Sequence, residues 1–88
     1  MAKIKFLENA WEEYLYWQTK DKKSLKKIND LLKDISRNYY SGLGKPEPLK
    51  YNNENLWSRR IDDKNRIIYS IQDDTIIIIK CKGHYYDK

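Results

Sequence analysis

The clearest structural signal in this chain runs from Leu56 to Tyr86 and reads LWSRRIDDKNRIIYSIQDDTIIIIKCKGHYY. Three segments of it are rich in β-branched and aromatic residues, which favour extended backbone, and two short acidic clusters of turn-forming residues separate them. Connections of this length join antiparallel neighbours. The pattern therefore predicts a three-stranded antiparallel meander. Its strands are predicted at Leu56–Ile61, Arg66–Ile71 and Thr75–Gly83.

The register of this meander decides which side chains share a face, because side chains alternate along a strand and a slip of one residue reverses every face. A symmetric turn at Gln72–Asp74 places Ser70 opposite Ile76. That register puts three basic side chains on one face of the sheet, namely Arg66, Lys80 and His84. A slip of one residue would separate them.

The N-terminal half of the chain carries mainly helical patterns. Ala2–Phe6 alternates weakly and predicts a short first strand. Glu8–Lys20 repeats large apolar residues at the spacing of one helical face, which predicts a first helix. Asp21 is a good N-cap for a second helix, whose apolar residues recur at intervals of three and four as far as about Arg37.

The segment that follows the second helix cannot continue it. Two glycines and two prolines in residues 38–48 predict a loop that leads into a short extended segment. The element order is then β-α-α-β-β-β-β. It predicts an α+β fold in which two N-terminal helices pack on one face of a small, largely antiparallel sheet. A chain of 88 residues is expected to form one domain over residues 1–88.

The composition is basic, with 18 Lys and Arg residues against 13 Asp and Glu residues, a net charge of +5 and a pI near 9.3. So small a basic domain favours a polyanionic partner. Nucleic acid is favoured over membrane, because the longest aliphatic run, Ile76–Ile79, is too short to span a bilayer and the N-terminus lacks a signal-peptide pattern. We therefore expect a soluble, intracellular protein. Cys81, the only cysteine, is expected to be a buried, unreactive thiol.

Acid–base chemistry is the catalytic class that these residues allow. One His and one Cys cannot complete a four-ligand metal site of nitrogen and sulfur, and no phosphate-binding loop or nucleophile motif is present. Opening an RNA backbone needs a base for the 2′-hydroxyl, a cation for the phosphorane and an acid for the 5′-oxygen. The residues that could supply these groups are Glu47, Arg66 and His84.

Each of these three residues also has a purely structural interpretation. Glu47 could pair with a neighbouring lysine, Arg66 could pair with the carboxylates of the turn before it, and His84 could be an exposed tail residue. On composition and spacing alone, a non-catalytic module that binds nucleic acid or protein is favoured over a ribonuclease.

Several runs of the sequence resemble one known family. They are GKPEPLK at Gly44–Lys50, WSRRI at Trp57–Ile61, NRIIY at Asn65–Tyr69 and the pair His84 and Tyr85. In this order, over nearly the whole chain, they resemble the YoeB toxins of the RelE/ParE superfamily. The resemblance implies a RelE-like fold and the toxin of a bacterial type II toxin–antitoxin system. It also implies a ribosome-dependent mRNA endonuclease that acts in the ribosomal A site without a metal or cofactor.

The same resemblance implies a role for each site residue. Glu47 matches the general base, Arg66 the residue that stabilises the transition state, and His84 the general acid. Tyr85 and Lys50 match assisting positions. The products would be a 2′,3′-cyclic phosphate and a 5′-hydroxyl end. RNA contacts are predicted for Arg59, Arg60, Lys80 and Lys82, and the lysines of the second helix are further candidates.

The implied partners follow from the family. A cytoplasmic homodimer would be neutralised by a YefM-like antitoxin, and the ribosome and mRNA would be its targets. Operator DNA would be bound only through the toxin–antitoxin complex, and no membrane association is implied. Two other functions stay open: a non-catalytic member of the superfamily that blocks translation by occupancy, and a ParE-like toxin that acts on gyrase.

Three places depart from the family pattern. Lys64 and Asn65 stand where the family commonly has Glu and His, and Gly83 replaces a bulky aromatic residue before His84. The tail Tyr86–Lys88 extends past the usual His-Tyr terminus. Glycine gives the backbone before His84 more conformational freedom, which affects how the imidazole is aimed.

Overall fold

The computed structural model describes residues 3–49 and 55–83. Its elements follow the predicted order, although two of the strands are shorter than expected. They are β1 (Lys3–Phe6), α1 (Glu8–Lys20), α2 (Lys22–Arg37), β2 (Glu47–Pro48), β3 (Trp57–Arg60), β4 (Arg66–Gln72) and β5 (Thr75–Lys80). The predictions made for Lys50, His84, Tyr85 and the tail Tyr86–Lys88 lie outside the described residues.

The strands form one sheet in the order β1-β5-β4-β3-β2. β1 lies parallel to β5, and the other three pairs are antiparallel. Both helices pack on one face of this sheet, so the predicted α+β arrangement is confirmed. The core between the two layers includes Ile28, Leu31 and Ile35 of α2 and Ile67, Tyr69, Ile76 and Ile78 of the sheet. Neither of these two helices is long and apolar enough to cross a membrane.

The break between the two helices falls at Asp21, as predicted. Its Oδ2 accepts a hydrogen bond from Ser24 Oγ at 2.8 Å, and its Oδ1 accepts from the backbone N–H groups of Ser24 and Lys23 at 3.2 and 3.1 Å. These bonds, led by that of the Ser24 hydroxyl, lower the pKa of Asp21. They also satisfy donors that the start of a helix leaves unpaired. The cap therefore fixes where α2 begins.

The register of the β4–β5 hairpin differs from the predicted one by one residue. Asp73 and Asp74 form a two-residue turn with positive φ angles of 49° and 62°. Ser70 therefore pairs with Ile77 and not with Ile76. A two-residue turn with both residues left-handed matches the twist of the strands, and aspartate tolerates this conformation. The symmetric three-residue turn was the wrong prediction.

A β-bulge between Ile68 and Tyr69 compensates for this slip. Tyr69 pairs with Ile78, whereas Ile68 pairs with Lys80, so the partner in β5 advances by two residues. A bulge re-aims the side chains beyond it. Because Arg66 lies two residues from Ile68 on the same strand, Arg66 and Lys80 share a face, as the original prediction required.

β5 was predicted to extend to Gly83, but it ends at Lys80. At Cys81 the backbone turns to α1, where its N–H donates to Glu13 Oε1 at 2.7 Å and its oxygen accepts from Trp17 Nε1 at 2.8 Å. The thiol of Cys81 is fully buried, as predicted. Burial, followed by the nearby Glu13 carboxylate, raises the pKa of this thiol to about 12.

Candidate active site

A row of cross-strand pairs crosses the sheet from β2 to β5. Glu47 pairs with Ser58, Ser58 pairs with Ile68, and Ile68 pairs with Lys80. Paired residues point to the same side of a sheet, so Glu47 and Lys80 lie on one face. The opposite face carries the residues that pack against the helices, such as Tyr69.

Two arginines lie beside this row. Arg60 of β3 pairs with Arg66 of β4, and each lies two residues along its strand from the row, on the same side. Glu47 and Arg66 are two strand spacings apart across the sheet and two residues apart along it, which separates them by about 12 Å. Side chains at that separation can both reach a phosphate group placed between them. We call this side of the sheet the outer face and define it by Glu47, Arg60, Arg66 and Lys80.

The backbone around Glu47 is held on both sides. The N–H of Arg60 donates to the oxygen of Gly44 at 2.7 Å, and the N–H of Leu49 donates to the oxygen of Leu56 at 2.9 Å. Prolines flank Glu47 and restrict its backbone further. The Glu47 residue itself is exposed. An exposed carboxylate on a restrained backbone is suited to act as a base on a large substrate.

The guanidinium of Arg66 is held by backbone carbonyl groups. Its Nη1 donates to the oxygens of Asp62 and Asn65 at 2.5 and 3.1 Å. The Asp62 carboxylate accepts hydrogen bonds from the N–H groups of Lys64 and Asn65. Burial opposes the ionisation of Asp62, but these bonds outweigh it and lower its pKa. The hydrogen-bond acceptors that orient Arg66 are neutral backbone oxygens, while the nearby Asp62 carboxylate, whose pKa the charge of Arg66 also helps to lower, offsets part of that charge. The guanidinium stays positively charged and can attract a phosphate.

Arg59, a predicted RNA contact, lies on the helix side of the sheet and is fully buried. Its Nε donates to Tyr69 Oη at 3.2 Å, and its Nη1 donates to Asp34 Oδ2 at 2.6 Å. The other N–H groups donate to the backbone oxygens of Leu43, Asn38 and Ser41. All five guanidinium donors are thus used inside the protein. The prediction that Arg59 contacts RNA is therefore wrong.

The Arg59 contacts fix the loop that leads from α2 to Glu47. Leu43 N–H donates to Asp34 Oδ2 at 2.8 Å, and this bond, followed by that from Arg59, lowers the pKa of Asp34. Gly42 lies against the same carboxylate with a φ of 118°, and a Cβ there would be 2.0 Å from Asp34 Oδ2. Only glycine fits this close approach. Arg59, Asp34 and Gly42 support the candidate site, although motif and charge reasoning missed this role.

The other predicted site residues fall in separate places. Lys80 is half-buried on the outer face. The Nζ of Lys82 lies 4.4 Å from the centroid of the Tyr16 ring, so its ammonium group is beside α1 and not grouped with the outer face. The remaining predicted site residues, Lys50, His84 and Tyr85, lie outside the described part of the chain.

The outer face combines a carboxylate with three cationic side chains. A carboxylate can accept a proton, and guanidinium and ammonium groups can bind phosphate oxygens. Within residues 3–49 and 55–83, no group of three or more His, Cys, Asp or Glu side chains could hold a metal ion. The arrangement is suited to base catalysis at a phosphodiester.

Comparison with known proteins adds an independent finding. Residues 6–85 match the model of a family described as the YoeB-like toxin of bacterial type II toxin–antitoxin systems. The chain is 48% identical to the toxin YoeB of Escherichia coli K12 over 83 residues, which cover 94% of this chain and 99% of that protein.

Two solved structures from Staphylococcus aureus share the fold. One is a YoeB dimer, with a TM-score of 0.90, 48% identity and coverage of 96% of this chain and 98% of that chain. The other is a YoeB–YefM complex, with a TM-score of 0.88, 46% identity and coverage of 97% and 99%. The family match, the identity and the shared fold agree along nearly the whole length. The chain belongs to the YoeB-like toxin family of bacterial type II toxin–antitoxin systems.

Proposed function

We propose that this toxin is a ribosome-dependent endonuclease that cleaves mRNA in the ribosomal A site. The observation that carries the proposal is that Glu47 and Arg66 share the outer face, two strands apart. Membership of the YoeB-like family supports a toxic activity. The net charge of +5 favours an RNA target.

The proposed reaction is a transesterification within the RNA. Glu47 removes the proton of a 2′-hydroxyl group, and the 2′-oxygen forms a bond to the adjacent phosphorus. Arg66 stabilises the negative charge on the phosphorane oxygens. His84 donates a proton to the 5′-oxygen as the bond between phosphorus and that oxygen breaks. The products are a 2′,3′-cyclic phosphate and a 5′-hydroxyl end, and neither proton transfer needs a metal ion.

Other basic residues are assigned to binding. Arg60 and Lys80 share the outer face with Glu47 and contact the phosphates that flank the scissile one. Lys82 is a phosphate contact nearer α1, where its ammonium group lies over the Tyr16 ring. Lys50 and Tyr85 are assisting residues in the same proposal. Arg59 has no part in RNA binding, because its donors are used inside the fold.

The proposed partners follow from the relatives. The Staphylococcus aureus proteins were solved as a YoeB dimer and as a YoeB–YefM complex. We infer that this chain likewise forms a homodimer and is neutralised by a YefM-like antitoxin. It binds operator DNA only through that complex, and it acts in the cytoplasm, where translating ribosomes are found.

A reconstituted translation system tests the proposal. The toxin is added to a defined mRNA with and without ribosomes, and the new 5′ ends are mapped and tested for a hydroxyl group. We expect 5′-hydroxyl ends at codons in the A site, and only when ribosomes are present. Stalled ribosomes without new 5′ ends would contradict the enzymatic proposal and favour inhibition by occupancy.

A further inference from the structure

Both polar backbone atoms of Gly83 are held by residues at the start of β4. The Gly83 N–H donates to Asn65 Oδ1 at 2.7 Å, and the Gly83 oxygen accepts from the N–H of Arg66 at 3.0 Å. The next residue in the chain is His84. The backbone therefore leads to His84 from a point that is bonded directly to Arg66 and to its neighbour.

The side chain of Asn65 is itself fixed. Its Nδ2 donates to Oδ1 and Oδ2 of Asp62, at 3.1 Å in both cases, which leaves Oδ1 of the amide aimed at Gly83. The backbone N–H of Asn65 donates to Asp62 Oδ1 at 2.8 Å, and its oxygen accepts from the N–H of Ile61 at 2.9 Å. Asn65 therefore connects a rigid turn to the backbone that precedes His84.

Gly83 has a φ of 78°, in the left-handed region that glycine adopts without strain. A residue with a Cβ would be strained in this conformation. The Asn65 side chain bonds directly to this left-handed residue. The contact restrains the backbone freedom that a glycine at this position would otherwise have.

We propose that Asn65 is a positioning residue that, through its hydrogen bond to Gly83, supports the general-acid step assigned to His84. The proposal rests on the proposed function, because it needs His84 to act as the general acid. Asn65 itself does not touch the reacting atoms. Loss of its amide oxygen should therefore weaken the protonation of the leaving group and leave the other steps intact.

A change of leaving group isolates this step. One mRNA carries the ordinary 5′-oxygen at the scissile phosphate, and a matched mRNA carries sulfur in its place. The sulfur departs as a thiolate with little need of a proton, because thiols are far more acidic than alcohols. Single-turnover rates on ribosomes are measured for both. For Asn65→Ala we expect a fall of about tenfold with the oxygen substrate and of less than about twofold with the sulfur substrate.

Three further variants make the test specific. His84→Gln should show the same dependence on the leaving group. Adding Asn65→Ala to it should cause no further loss, because the general acid that Asn65 is proposed to support is already absent. Gly83→Ala perturbs the other side of the contact and should also slow only the oxygen substrate. Lys64→Ala is the matched control, because it removes an exposed side chain and keeps the bond from the backbone N–H of residue 64 to Asp62. Its rates with both substrates should stay within about twofold of those of the unmodified toxin.

The outcomes separate the two proposals. Equal slowing of both substrates by Asn65→Ala, or no slowing of either, would overturn the positioning role. If His84→Gln depends on the leaving group and Asn65→Ala does not, only the positioning role fails. If the unmodified toxin cleaves neither substrate on ribosomes, the proposed function fails, and the role of Asn65 fails with it.

Discussion

Arg59 and Arg60 are adjacent in the sequence and lie on opposite faces of β3, so they allow the two faces of the sheet to be compared. On the helix side, Arg59 is fully buried, and Asp34 and Tyr69 are among its partners. On the outer face, Arg60 is exposed and pairs across the strands with Arg66. The same functional group therefore holds a loop in place on one face and is accessible to a ligand on the other.

This small domain separates stability from function by sheet face. The helix side concentrates the apolar core and the fully bonded guanidinium. The outer face concentrates like charges, with Arg60 opposite Arg66, an arrangement that costs stability unless an anion binds there. Substitutions on the two faces should therefore affect different measurements.

The largest expected effect is that of Arg59→Ala on stability. Removing one partner of a buried ion pair leaves the other groups without their donors and costs about 3–5 kcal/mol. The matched control, Arg60→Ala, should change the free energy of unfolding by less than about 0.5 kcal/mol. Urea unfolding of both variants gives the two values. Equal losses of stability would contradict the division between the faces.

Substitution of Arg66 should have the opposite signature. Arg66→Gln removes the charge proposed to stabilise the phosphorane, so the single-turnover rate on ribosome-bound mRNA should fall by about 100-fold. Arg37→Gln, at the end of α2 on the helix side, should change the same rate by less than about threefold. A comparable fall for both variants would show that the rate depends on overall charge and not on the outer face.

A smaller effect is expected for Asp34→Asn, which should destabilise the protein by about 2 kcal/mol at neutral pH because charged hydrogen bonds are weakened. The folded-state pKa of Asp34 is lowered, so its contribution is present above the unfolded-state value and is lost as the pH falls below about 4. Urea unfolding at several pH values should show the two proteins converging in acid. A gap of constant size down to pH 2 would contradict this assignment.

The smallest effect concerns Cys81, a probe of the helix side. Burial raises its pKa to about 12, so the thiol stays protonated and should not react with a disulfide reagent at pH 8 while the protein is folded. In concentrated urea it should react at the rate of an ordinary thiol. Rapid reaction of the folded protein would show that the contact between β5 and α1 opens readily.

Sequence patterns predicted the order of the elements and the cap at Asp21, because each depends on local chemistry. They failed at the turn between β4 and β5 and wherever residues distant in the sequence decide the structure. The register of the β4–β5 hairpin depends on the length of its turn. Asp73 and Asp74 form a two-residue turn, whereas a three-residue turn at Gln72–Asp74 was predicted. The bulge at Ile68 then restored the predicted face for reasons that no local pattern contains.

The burial of Arg59 was missed for a related reason. Alternation along WSRRI places Arg59 on the same face as Trp57, which was a usable signal, but nothing in that run shows which face the helices cover. The acceptors that make its burial acceptable come from residues 34–43 and from Tyr69, far away in the sequence. The bond between Asn65 and Gly83 likewise joins two segments that only the folded sheet brings together.

Glu47→Gln removes the proposed base and keeps the size of the side chain. The single-turnover rate of mRNA cleavage on ribosomes and the free energy of unfolding are measured on the same preparation. We predict that the rate falls by at least about 100-fold and that the free energy of unfolding changes by less than about 0.5 kcal/mol. Cleavage at the unmodified rate, or a loss of rate that a comparable loss of stability explains, would contradict the proposed role of Glu47.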